Sequence, residues 1–220
     1  MFGNVSQVKH TGLYPVGVSK RNLVSQLALS EPLKALEVAR SISDPWYRCQ
    51  SLAHVAWNLE DRKQSEKVIG EALAAAYEHD EPNRVVTVAS WAVRAMVKKT
   101  DRGLSSVVDR LLNQIQREAN PVRQADALLF LFDAVFYDPR LRELVLGVLL
   151  RACDQMNSWK RPLILSNIAL ALAIDDPARA SQIIDLMGQG RMSRKTRREI
   201  ATRKWLGPHE FFPYYANPTS

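Results

Sequence analysis

Four arginines, Arg48, Arg84, Arg123 and Arg161, stand 36, 39 and 38 residues apart, and the residues that follow each of them repeat in character. Four positions beyond the arginine come Leu52, Val88, Ala127 and Leu165; seven beyond, Val55, Trp91, Phe130 and Ile168. Eight beyond come Ala56, Ala92, Leu131 and Ala169; eleven beyond, Leu59, Ala95, Ala134 and Leu172. These offsets trace one face of an α-helix, which turns once in about 3.6 residues. One amphipathic helix is therefore written four times. A lone helix pair has nothing to cover its apolar face, so copies at this period are expected to stack on one another.

The helix starts repeat as well. Asp44-Pro45, Glu81-Pro82 and Asn120-Pro121 each put an acceptor or an acid before a proline. Proline costs nothing at the first helical position, because the N–H it lacks would be unpaired there. Ser158 is the expected cap of the fourth copy, with Pro162 in its first turn. A second helix is expected in each unit after Asp61, Asp101, Asp138-Pro139 and Asp176-Pro177, and Glu31-Pro32 opens a lone helix ahead of the first complete unit. The pattern predicts about nine repeat helices. The fold expected is all-α: a right-handed α-α superhelix, or α-solenoid, of about four helix pairs with a preceding half-repeat and a basic capping helix. An ordinary helical bundle with accidental regularity is the alternative.

The template D-P-x-x-R-x-x-x-L-x-x-V-A-x-x-L, complete at Asp44 to Leu59 and partial in the three later units, resembles tetratricopeptide-like helical repeats. The likeness runs over residues 31 to about 188. The standard W-x-x-L-G-x-x-Y opening is absent, and the longer period approaches HEAT-type repeats. The resemblance implies a superhelical scaffold that holds peptides, proteins or sometimes nucleic acids, and it carries no catalytic residue onto this chain.

Flanking the repeats, residues 1 to 30 are expected to form an extended N-terminal arm, with Gly3, Gly12, Pro15 and Gly17 opposing regular structure. Residues 191 to 207 read as a basic helix capped by Ser193 and stopped by Gly207-Pro208. Residues 208 to 220 read as an aromatic tail whose Phe211, Phe212, Tyr214 and Tyr215 either cover the terminal apolar face or enter a partner's groove.

The longest apolar runs, such as residues 125 to 136, fall short of a membrane span and contain acids. With no apolar block of signal-peptide length at the start, the cytoplasm is the expected location. Cys49 and Cys153 each sit in an apolar helical pattern and read as small core residues. No histidine stands at metal-ligand spacing from another histidine or a cysteine, and no glycine-rich phosphate loop or nucleophile elbow occurs. No cofactor is called for. The net charge of +7 is uneven: residues 81 to 120 carry seven basic against four acidic residues, and 191 to 220 carry seven against two.

Two functional classes follow, and a third stays open. The first is a non-catalytic scaffold holding a protein or peptide partner, acidic in character, in a concave groove. Its candidate contacts are the ladder Arg48, Arg84, Arg123 and Arg161 and the two tryptophans that precede aligned arginines, Trp46 and Trp159. The plainer reading of the arginines is that each pairs with a nearby acid or bonds the last carbonyls of the preceding helix. Trp57 and Trp91 read as filling between helices. The alternative class is a nucleic-acid binder that sets Arg84, Arg94, Lys98 and Lys99 against phosphates together with Arg191, Arg194, Lys195, Arg197, Arg198, Arg203 and Lys204. A glycosylase-like helical-repeat enzyme is the third class. Self-association into a homo-oligomer is compatible with all of them.

Overall fold

The computed structural model describes residues 16–100, 102–204 and 206–212. Among these residues the chain is all-helical, with eleven helices and no strand. In order they are α1 (Val16–Leu27), α2 (Pro32–Arg40), α3 (Pro45–Asn58), α4 (Arg62–Ala76), α5 (Pro82–Lys99) and α6 (Leu104–Ile115). There follow α7 (Pro121–Val135), α8 (Pro139–Asp154), α9 (Lys160–Leu172), α10 (Pro177–Asp185) and α11 (Arg191–Ala201). No helix among the described residues is long and apolar enough to cross a membrane.

The predicted starts are chemically distinct. Asp44 accepts the N–H groups of Trp46 at 2.8 Å and Tyr47 at 3.3 Å, and Asn120 accepts those of Val122 at 2.9 Å and Arg123 at 3.3 Å. Asp61, Asp138 and Asp176 accept from Gln64, Leu141 and Arg179 at 2.6, 3.0 and 2.9 Å. Ser158 accepts from Lys160 at 3.3 Å. Each such cap stabilises its helix by about 1 kcal/mol. Glu31 and Glu81 make no cap bond; their carboxylates pair instead with Lys34 and Arg84, each at 3.3 Å. Asp101 lies outside the described residues, and the residue before α6 is Gly103, whose φ of +74° favours glycine.

The helices pack in a fixed order. α1, α3, α5, α7, α9 and α11 touch successively, and each even-numbered helix packs between the two odd-numbered helices that flank it in sequence. The aligned apolar positions explain the contact. Of the sixteen residues at offsets 4, 7, 8 and 11, all are buried except Trp91 and Phe130, which are half-buried. Alanines at the eighth position of three copies let neighbouring odd helices approach closely. Cys49 and Cys153 are free thiols buried in this core, and burial pushes Cys153 up to about 12.

Three boundaries differ from expectation. Residues 16–27, expected in an extended arm, form α1, which packs on α2 and α3. Val24 and Ala28 are buried there, and Gly17 lies against Tyr47 so closely that an added Cβ would fall 2.8 Å from the ring. That glycine marks a close approach to a neighbour. Residues 1–15 lie outside the described residues. The basic helix ends at Ala201, well before Gly207, because Arg203 turns left-handed at φ +51°. The N–H of Arg203 then bonds the carbonyl of Ile200 at 3.0 Å and that of Lys204 the carbonyl of Glu199 at 2.9 Å, closing a Schellman motif without glycine. Ser193 sits inside the first turn, two residues past Arg191, where its hydroxyl accepts from the N–H of Gly190 at 3.1 Å. The third difference is the tail, whose path defines the site described next.

Candidate functional site

After the Schellman turn the chain crosses the odd-numbered helices in reverse order. The N–H of Gly207, at φ +110°, donates to the carbonyl of Leu170 on α9 at 3.2 Å. The backbone N–H of His209 approaches the carboxyl of Asp133 on α7 and favours its ionised form, and the His209 ring meets Phe130 edge-on at 5.6 Å between centroids. Phe211 lies edge-on to Trp91 of α5 at 5.3 Å. Phe212 stacks on His54 of α3 at 5.2 Å and lies 4.9 Å from Trp57. Phe211 is 2% exposed and Phe212 7%. Residues 206–212 do fold back, as one sequence reading held, and beyond the Gly207 bond to α9 they cover α3, α5 and α7 in the middle of the chain. Tyr214 and Tyr215 lie outside the described residues.

A second helical face builds this floor. Trp91, Arg94 and Lys98 on α5 stand at offsets 7, 10 and 14 from Arg84, and Phe130, Asp133 and Tyr137 stand at the same offsets from Arg123. Spacings of three and four residues hold the first trio on one side of α5 and Phe130 and Asp133 on one side of α7, with Tyr137 in the turn just past the end of α7. Trp57 and Trp91, read from sequence as filling between helices, are half-buried, and their rings meet the tail.

Electrostatics under the tail are unusual. Burial raises the Asp133 carboxyl to about 7, while the N–H of His209 favours its ionised form. His54 is lowered to about 4 by burial, and its Nδ1 lies 3.3 Å from the Ser25 hydroxyl. Arg94 is half-buried between two rings, 5.2 Å from the Trp57 centroid and 4.5 Å from that of Tyr137. Lys98 places its Nζ 4.0 Å from the Trp57 centroid and 3.4 Å from the Trp57 carbonyl. Lys99 bonds the Leu59 carbonyl at 2.6 Å, which satisfies the end of α3. A cavity of about 300 Å³ opens beside Arg94, walled by Trp57, Tyr137, Ile174 and the tail.

Arg94, Lys98 and Lys99, read from sequence as phosphate contacts, lie at this face, whereas the residues read as partner contacts lie elsewhere. Arg48 donates to the carbonyls of Ile42 and Ser43, both at 3.0 Å, and pairs with Glu78. Arg161 donates to the carbonyls of Cys153 at 3.1 Å and Leu186 at 3.0 Å and approaches Asp154 at 3.4 Å. For these two the plainer reading holds: each pairs with an acid, Arg48 bonds the loop that follows α2, and Arg161 bonds the last turn of α8 and the end of α10. Arg84 pairs with Glu81 and lies 5.9 Å from the Trp46 ring. Together Trp46 and Arg84 line a cavity of about 250 Å³ between the starts of α3 and α5. Arg123 is exposed. Trp46 is half-buried against His79, whereas Trp159, its counterpart in sequence, is 76% exposed. The arginines do not form a continuous ladder of free cations.

The basic residues divide between two places. α11 touches α9 and α10 and makes no contact with α5, which carries Arg84, Arg94, Lys98 and Lys99. The helix is fixed to α9 by a buried hydroxyl pair, Ser166 with Thr196 at 2.7 Å. Arg191, Arg194, Lys195, Arg197 and Arg198 are exposed, as are Arg203 and Lys204 beyond its end. Arg197 pairs with Asp185 at 2.7 Å and Lys195 with Glu199 at 3.7 Å. Among the described residues no group of three His, Cys, Asp or Glu side chains could hold a metal ion.

Sequence reasoning passed over His54, Asp133, Tyr137 and His209. One signal for Asp133 was present: an acid at offset 10 inside an otherwise apolar run, aligned with Arg94 in the preceding copy. No family model matches the chain, and no curated protein or solved structure matches it.

Proposed function

We propose that the chain is a non-catalytic α-solenoid of the tetratricopeptide-like or HEAT-like kind, and that it binds a peptide segment of a partner protein across α3, α5 and α7. The successive contacts of the odd-numbered helices, with the even-numbered helices interleaved, support a stacked arrangement of about four helix pairs and a preceding half-repeat; right-handed winding remains part of the proposal. One observation carries the functional reading: an irregular segment, Gly207 to Phe212, already lies across this face with two phenyl rings buried. The face therefore has the shape and chemistry to hold a non-helical aromatic peptide. In the full chain the tail competes with any such partner, and a partner's apparent affinity falls by the fraction of chains in which the tail is docked.

The test uses the full chain and its Phe211→Ala, Phe212→Ala double variant with a fluorescent peptide of residues 207–213. The variant is expected to bind the peptide at least about tenfold more tightly than the unaltered chain, read by anisotropy. Absence of binding to both proteins at millimolar peptide sinks the reading. The nucleic-acid alternative rests on α11; it predicts capture of an oligonucleotide that fades steeply between low and moderate salt.

A further inference from the structure

Arg94 and Lys98 form a charged arrangement that the tail leaves unanswered. They stand one helical turn apart on α5, and each lies over the ring of Trp57. Tyr137 closes the other side of Arg94 at 4.5 Å. A guanidinium clamped between two rings is fixed in orientation before any ligand arrives. No carboxylate among the described residues lies within 4.0 Å of either cation. Burial lowers Arg94, and burial together with the charges of Lys99 and Arg94 lowers Lys98. Lys98 also donates to the Trp57 carbonyl in the last turn of α3 at 3.4 Å, a long bond that leaves its other two N–H donors open, while Lys99 bonds the Leu59 carbonyl at 2.6 Å. The cavity of about 300 Å³ beside Arg94 is large enough for a carboxylate side chain; its wall is Trp57, Tyr137, Ile174 and residues 206–212, Glu210 included, and Lys98 lies outside it on the ring of Trp57. Glu210 is exposed and forms no ion pair with Arg94 in the docked tail.

We infer that Arg94 and Lys98, framed by Trp57 and Tyr137, are the subsite for a carboxylate side chain in the partner peptide, placed immediately before an aromatic pair. The proposal rests on the peptide-binding reading above and adds the charge of the ligand to it. The tail has the same order, Glu210-Phe211-Phe212, but in the docked tail, held by the covalent chain and by the Gly207 bond to Leu170, the glutamate pairs with neither cation; a free peptide of the same residues lacks that tether and can bring its acid to them. A partner whose acid reaches them gains a charge-assisted bond that the tail lacks, and so displaces the tail.

Two peptides of residues 207–213, one with its glutamate and one with glutamine in its place, are titrated into the full chain carrying Phe212→Ala. The glutamate peptide is expected to bind about tenfold more tightly. With Arg94→Gln added, the difference is expected to fall within about twofold, and Arg94→Lys is expected to restore part of it. Equal affinity of the two peptides for the Phe212→Ala chain overturns the subsite and leaves the peptide-binding face standing. Binding of neither peptide sinks both. If Arg94→Gln weakens both peptides equally, Arg94 merely holds the face together and the proposal fails. An oligonucleotide that displaces the glutamate peptide in an Arg94-dependent way also overturns it, because the site would then be one for phosphate.

Discussion

Phe212→Ala removes a ring that is 7% exposed and lies 5.2 Å from His54, 4.9 Å from Trp57 and 5.5 Å from Trp91. Burial of a phenylalanine contributes about 1.5–3 kcal/mol, and a well-placed aromatic pair adds about 0.5–1.5 kcal/mol. The docked tail should therefore lose roughly 2–4 kcal/mol. In a core helix the same truncation would cost about 3–5 kcal/mol of global stability. Here the loss is expected to stay local, because the segment is joined to the helices by its rings, by the bond from Gly207 and by the approach of the His209 N–H to Asp133. Such a segment opens before the helices melt. Exchange of the His209 amide hydrogen should accelerate at least about tenfold, since each 1.4 kcal/mol is a factor of about ten. Emission from Trp57 and Trp91 should shift to the red as water reaches them, while the urea midpoint of the helical signal moves little. A fall in that midpoint worth about 3–5 kcal/mol, with no separate change at His209, would refute the idea of a docked segment. The tail would then belong to the core.

Two further substitutions probe the ground beneath and before the tail. Asp133→Asn should be neutral near pH 4 and progressively stabilising towards pH 7, by roughly 2–4 kcal/mol at the upper end. The native carboxyl, raised to about 7 from 3.8, contributes stability that is present below the lower value and lost as pH rises through the higher. His54 works in the opposite sense: lowered from 6.5 to about 4, it contributes stability above the first value that is lost as pH falls through the second. The difference between variant and parent in urea melts isolates Asp133, and a difference independent of pH would contradict the assignment. Arg203→Gly should stabilise the chain by about 0.5–1 kcal/mol in thermal melts, because φ +51° is strained for arginine and free for glycine. An unchanged or lower midpoint would mean that the left-handed turn is not what ends α11.

The parts of the fold legible in the sequence were those written locally and repeated. Asp44, Asp61, Asn120, Asp138 and Asp176 announce their helices through bonds to N–H groups two or three residues on, so their meaning needs no tertiary information. α1 was missed because Gly17 looks like a breaker in isolation, while its role is set by the ring of Tyr47 thirty residues away. The end of α11 was missed because arginine rarely takes the left-handed turn that glycine normally supplies. The tail face was harder still. Trp57 and Trp91 share the composition of core residues, and only the return of residues 206–212 separates the face they form from the one packed between helices.

The same helices thus carry two faces, and Asp133 shows why the second is not a spare part of the core. A carboxyl 8% exposed in an apolar run destabilises the helix that bears it unless a donor reaches it. The donor that approaches it is the backbone N–H of His209. When the tail undocks, water takes over this contact; when another segment displaces the tail, that segment must supply a donor at the same place or leave a buried acceptor unpaired, which costs about 1–3 kcal/mol. Aromatic character alone is therefore an insufficient specification for an occupant. It needs rings for Trp57, Trp91 and Phe130, and a free backbone N–H opposite Asp133 two residues before the first buried ring. A peptide with proline at that position should bind more weakly than one with alanine even if every ring is retained, because proline has no N–H to offer.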